Sequence, residues 1–117
     1  MSDKSLDVLT IGNAIVDVFA ICEDAFLETH DIGRGMMNLV DAARSATLYA
    51  ALDASTEISG GSAANTAVGV AAFGGQAGFA GRVRDDTLGR SFSRDIADAK
   101  VRFANLPQQD GSATASS

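Results

Sequence analysis

The chain has 117 residues, 46% of them hydrophobic, and a formal net charge of -6 at pH 7. That length suits one domain able to bury about two-thirds of its unfolded surface. The acidic balance, with a sequence pI near 4.4 and scattered Lys and Arg, excludes the basic stripe that a nucleic acid or an anionic membrane would require.

Cys22 is the one cysteine, so no internal disulfide can form, as in a reducing cytoplasm. Glu23 and Asp24 beside it disfavour a thiolate, and a buried, inert thiol is expected. The opening Met1-Ser2-Asp3-Lys4-Ser5-Leu6-Asp7 shows no basic region followed by an apolar run. No window reaches the roughly 18 apolar residues of a membrane span, so the expectation is a soluble, cytoplasmic chain.

In chain order, Leu6 to Ile11 is an apolar run that stops at Gly12-Asn13, as a buried strand does. Ala14 to Ile21 reads as a second strand, with Asp17 set among apolar residues where its charge needs a partner or water. Glu23 to His30 predicts a short helix capped by Asp24 and closed by Gly33 and Gly35. Met36 to Val40 is a candidate strand, and Asp41 caps an Ala-rich helix through Leu52.

Thr56 to Ser59 predicts a strand leading into Gly60-Gly61, and the helix from Ser62 to about Phe73 places Ala64, Ala67, Val68, Ala71 and Ala72 on one side. That small-residue side allows close packing. Gln76 to Val83 reads as a strand, and Asp85, Asp86 or Thr87 caps a helix in which Leu88, Phe92 and Ile96 recur every four residues. Val101-Arg102-Phe103 begins another strand, while the segment after Pro107 is small and polar. Strands and helices alternating through short glycine turns predict crossovers in an α/β sheet, with ligands at the carboxyl ends of the strands.

Three polar side chains stand out against apolar elements: Asn13 after the first strand, Asp17 inside the second run, and Asn65 in the first turn of the helix led by Gly60-Gly61. A carboxylate accepts hydrogen bonds from two vicinal hydroxyls and an amide both donates and accepts, so together they form a hydroxyl-binding set. Each also has an ordinary reading, as a turn residue, an ion-pair partner or a helix-start residue. His30 has no Ser or Cys placed beside it by a recognisable motif, which argues for a surface histidine over a catalytic one. Asp85-Asp86 reads as charge complementing a helix start, and no metal-ligand cluster is evident. The glycine pair fits neither G-x-G-x-x-G nor G-x-x-x-x-G-K-[ST].

Three stretches in this order resemble the ribokinase-like, or PfkB, carbohydrate kinases: Gly12-Asn13-Ala14-Ile15-Val16-Asp17, Gly60-Gly61-Ser62-Ala63-Ala64-Asn65-Thr66-Ala67, and Gly74-Gly75 continuing through Gly81-Arg82-Val83-Arg84-Asp85-Asp86-Thr87-Leu88-Gly89. The first, with Met37-Asn38-Leu39-Val40-Asp41, is most similar to bacterial adenosine-kinase-like members. The resemblance implies the N-terminal part of a ribokinase-like Rossmann-type α/β sandwich, with lid strands within about 17–21, 35–40 and 101–117. It also implies transfer of the γ-phosphate of ATP, with Mg²⁺ and room for a monovalent cation, to a primary hydroxyl of a sugar or nucleoside.

On the same resemblance, Asp17 matches the ribose-diol carboxylate and Asn65 the companion amide. Gly60 and Gly61 match the hinge of the lid, and Asn13 lies near the base or ring. The family's Gly-Ala-Gly-Asp signature, with its catalytic Asp, does not occur in these 117 residues. No catalytic or metal-binding residue is therefore expected here, and the isolated stretch should be inactive. The other reading is a non-catalytic sugar-binding or dimerisation module, with association through the lid sheet. A lid sheet lacking partner strands leaves free edges, so the isolated chain is expected to associate or to be marginally folded. A monomeric sample with one sharp thermal transition would contradict that.

Overall fold

In a computed structural model, residues 6–105 and 107–117 are described. Residues 1–5, which belong to the opening read for a leader, and Leu106, within the expected 101–117 lid stretch, lie outside them. The chain divides into two compact units, Met1–Asp17 with Glu57–Ser117, and Val18–Thr56.

In the first unit, β1 (Val8–Ile11) runs parallel to β4 (Ala77–Ala80), with Val8 opposite Ala77 and Ile11 opposite Ala80. The Gly12 N-H donates to the Ala80 carbonyl at 3.1 Å and prolongs that ladder. Helix α3 (Ser62–Ala72) lies on both strands. Its Ala64 and Ala67 are fully buried, so the small-residue side does bring the helix close to the sheet. The Thr10 hydroxyl ties strand to helix by donating to the Ala63 carbonyl at 2.8 Å.

Helix α4 (Thr87–Asp98) begins at Asp86, whose carboxylate accepts the Gly89 N-H. Its Phe92 and Ile96 are buried as their four-residue spacing predicts. Phe79, Phe92 and Phe103 pack as three tilted or edge-on rings with centroids 5.5 to 5.7 Å apart. Such pairs add to the burial they accompany.

A second sheet has the order β3 (Thr56–Gly60), β2 (Ile15–Phe19), β5 (Ala115–Ser116). β5 is parallel to β2, with Ile15 opposite Ala115 and Val16 opposite Ser116. The two sheets, as a sandwich with a small separate lid sheet implies, part where the chain turns at Gly12-Asn13 between β1 and β2.

The second unit holds α1 (Asp24–Thr29) and α2 (Ala42–Ala51), neither with a buried residue. Polar contacts organise it. Asp41 caps α2 by accepting the Arg44 N-H at 2.8 Å, and the Arg44 guanidinium donates to the carbonyls of His30 and Asp31 at 2.6 and 3.2 Å. Among the described residues no helix is long and apolar enough to cross a membrane.

Several expectations are corrected. Met36 to Val40 forms no strand: Met36, Met37 and Leu39 are exposed, and the Asn38 side-chain amide donates to the Gly33 and Met36 carbonyls, closing a local turn instead of a ladder. The expected lid strand at 35–40 is therefore absent. Asp24 is the first residue of α1 and not its cap, and its carboxylate pairs with Arg34 at 2.9 Å. That helix ends at Thr29, ahead of the glycines expected to close it. Cys22 is exposed, because β2 stops at Phe19 and the chain leaves the sheet before reaching it. His30 is half-buried, its ring 4.4 Å from that of Phe26. Around Arg102 there is a single bridge to Gly78 where a strand was expected.

Phe92 stands at the centre of the aromatic packing, so Phe92→Ala should cost about 3–5 kcal/mol, as for other buried aromatic truncations. Denaturant unfolding followed by circular dichroism measures this, and a loss under about 1 kcal/mol would show that the three rings do not form the core.

Candidate functional site

The expected site residues meet where β2 and β3 approach the start of α3. A Cβ built on Gly60 would collide with the Asp17 carboxylate, so the absence of a side chain at Gly60 is what allows Asp17 its place. Gly61 has φ 92°, a left-handed conformation that L side chains rarely adopt. A Cβ there would also lie 2.8 Å from the Asn13 carbonyl oxygen. Asp17 thus meets Gly60, and Gly61 meets Asn13.

Asp17 is half-buried, and among the described residues its carboxylate has no hydrogen-bond or ion-pair partner. Solvent access meets the need for water anticipated from its apolar neighbours. Asn65 lies in the first turns of α3, its N-H bonded to the Gly61 carbonyl at 2.9 Å and its side chain exposed. Asn13 is likewise exposed. Because Gly61 is the N-cap and has no side chain, no side-chain cap closes the start of α3.

Helix α4 holds β3 from another direction. The Ser59 N-H donates to Asp95 Oδ2 at 2.7 Å, and the Ser91 hydroxyl donates to Glu57 Oε2 at 2.7 Å. Both contacts lie within the few residues ahead of Gly60. They hold the strand that delivers the glycine pair, and nothing in the local pattern of either segment announced them.

A second group missed by the sequence reading surrounds Asp86. Its Oδ1 accepts the Gly89 N-H and the Thr114 hydroxyl, each at 2.7 Å, and its Oδ2 accepts the Thr114 N-H at 3.0 Å. Burial works to raise the Asp86 pKa, but the bonds from Thr114 and Gly89, with the nearby Arg84 charge, outweigh it and leave the pKa below the ordinary 3.8. A cap among Asp85, Asp86 and Thr87 was legible ahead of an amphipathic run, and the structure selects Asp86. Its second partner, in the polar segment near the end of the chain, was not legible.

Comparison with known proteins places these features in context. The pfkB family carbohydrate kinase pattern matches residues 31–116. The structure of adenosine kinase from Sinorhizobium meliloti superposes with a TM-score of 0.75 at 49% identity, covering 97% of this chain and 35% of that one. A probable sugar kinase from Rhizobium etli gives 0.75 at 45% identity, covering 96% and 34%. A fructokinase from Klebsiella pneumoniae is 52% identical over 42 residues, 36% of this chain and 14% of its own length. The chain therefore spans about a third of the solved structures and a smaller share of the curated relatives.

Gly60→Ala should force Asp17 aside and cost about 1–3 kcal/mol, the range for overpacking, measured by denaturant unfolding. A neutral effect would show that the contact yields freely. Asp86, whose folded pKa is depressed, stabilises the fold above its ordinary titration range, and this contribution is lost as the pH falls below 3.8 through the folded value. Wild-type stability should therefore drop on acidification more steeply than that of Asp86→Asn, and parallel pH profiles would contradict it.

Proposed function

Because the chain belongs to the pfkB family of carbohydrate kinases, we propose that it forms the acceptor-binding part of a cytoplasmic enzyme. That enzyme transfers the γ-phosphoryl group of ATP, with Mg²⁺, to a primary hydroxyl of a sugar or nucleoside. The observation that carries this reading is the Asp17 carboxylate: half-buried, without a protein partner among the described residues, and set against a glycine that leaves it room. Two carboxylate oxygens can accept hydrogen bonds from the vicinal hydroxyls of a ribosyl ring. The amides of Asn65 and Asn13 would supply donors and acceptors on either side.

Similarity to the Sinorhizobium adenosine kinase supports an adenosine-like acceptor, and similarity to the Rhizobium sugar kinase supports a free sugar as the other candidate. The left-handed backbone at Gly61 supports Gly60 and Gly61 as the hinge of a lid sheet that includes β2 and β5, whose closure would keep water from competing for the phosphoryl group. Association through that sheet would accompany the lid role.

Among the described residues no three His, Cys, Asp or Glu side chains gather as metal ligands, so no step of metal chemistry is assigned to them. Phosphoryl transfer relies on charge positioned around the γ-phosphate. Residues for that task are to be sought in the part of the relatives' length that this chain does not span.

Calorimetric titration of the full-length protein with adenosine, 2′-deoxyadenosine, ribose and fructose tests the reading. Asp17→Ala should weaken adenosine binding by about 1.5–3 kcal/mol, the range for hydrogen bonds to a charged group, and remove the preference over 2′-deoxyadenosine. Unchanged affinity would take Asp17 out of the site.

A further inference from the structure

β5 is a strand of two residues. It consists of Ala115 and Ser116, both exposed, and neither supplies a large apolar side chain to anchor the strand. Yet it pairs with Ile15 and Val16, and the Ser117 N-H donates to the Val16 carbonyl at 2.9 Å. The next residue of β2 is Asp17. Whatever fixes β5 therefore fixes the strand position immediately before the acceptor-site carboxylate.

The residue ahead of β5 is Thr114, only 5% exposed and tightly bonded. Its hydroxyl donates to Asp86 Oδ1 at 2.7 Å and accepts the Arg84 N-H at 3.0 Å, while its own N-H donates to Asp86 Oδ2 at 3.0 Å. A helix cap needs only the Gly89 N-H, and the two further bonds serve the distant segment. The preceding turn is gripped as well: Arg82 donates to the carbonyls of Asp110 and Ser112, each at 3.0 Å, and Arg84 to that of Gly111 at 3.2 Å.

We propose that Asp86 and Thr114 act as positioning residues for Asp17, seating β5 on β2 and thereby holding the carboxylate against Gly60. The functional meaning of this latch rests on the reading of Asp17 as the acceptor-binding group. Its structural content rests on the ladder and the Gly60 contact alone.

Amide hydrogen exchange and NMR shifts of the full-length protein test the latch. Thr114→Val keeps the shape and removes the hydroxyl, so it should speed exchange at the Ser117 N-H about tenfold, the size of one net hydrogen bond. It should also shift the Gly60 amide signal while leaving the Gly12 N-H, bonded to Ala80, unchanged. Thr114→Ser, which keeps the hydroxyl, should restore both signals, and adenosine affinity lost in Thr114→Val should add nothing to the loss in Asp17→Ala. Unchanged Ser117 exchange, equal loss of protection at Gly12, failure of the serine variant to restore, or additive affinity losses would each overturn the proposal. Wild-type protein that binds neither nucleoside nor sugar would overturn the acceptor reading instead, and the exchange pattern would still decide the latch.

Discussion

The contact between the Asp17 carboxylate and the bare α-carbon of Gly60 is the constraint on which the site depends. A charged group placed within an apolar strand needs either a partner or an opening to solvent. Here Asp17 is half-buried, and the room for its carboxylate exists because the facing residue lacks a side chain. The neighbouring Gly61 then bends the chain through a positive φ into α3, passing so close to the Asn13 carbonyl that a larger residue would be excluded. The glycine that follows the one facing the carboxylate also begins the helix that carries Asn65.

That corner is held by elements that contribute no group to it. The alanine side of α3 sits directly on β1 and β4, and the aromatic packing of Phe79, Phe92 and Phe103 supports α4. α4 in turn steadies β3 through the Asp95 bond to the Ser59 N-H, shortly before the glycine pair. Asp86, at the start of the same helix, grips Thr114 and with it the approach to β5. One helix thus reaches two of the three strands in the second sheet through carboxylates at opposite ends. The Val18–Thr56 unit is different in kind: its helices bury no residue, and backbone-directed bonds from Arg44 and Asn38 give it local order. Elements with so little buried surface belong to the low-stability end of a fold.

Sequence alone determined what short-range chemistry controls. The cap at Asp41, a cap for α4 among Asp85, Asp86 and Thr87, the four-residue spacing of Phe92 and Ile96, the small-residue side of α3 and the glycine pair that begins it were all legible, because each expresses its physics within a turn or two of chain. The resemblance of the three glycine-containing stretches to the PfkB kinases implied the family that comparison then showed. Tertiary structure alone decided the rest. A moderately apolar run at Met36 to Val40 is an exposed loop without a ladder partner, while Ala115-Ser116, with no strand-like pattern of its own inside the stretch where the resemblance implied a lid strand, pairs with β2. Which glycine faces Asp17, and which carboxylate holds Ser59 or Thr114, are contacts between residues far apart in sequence. No local pattern encodes such pairings, since they form only when folding brings the donors and acceptors together.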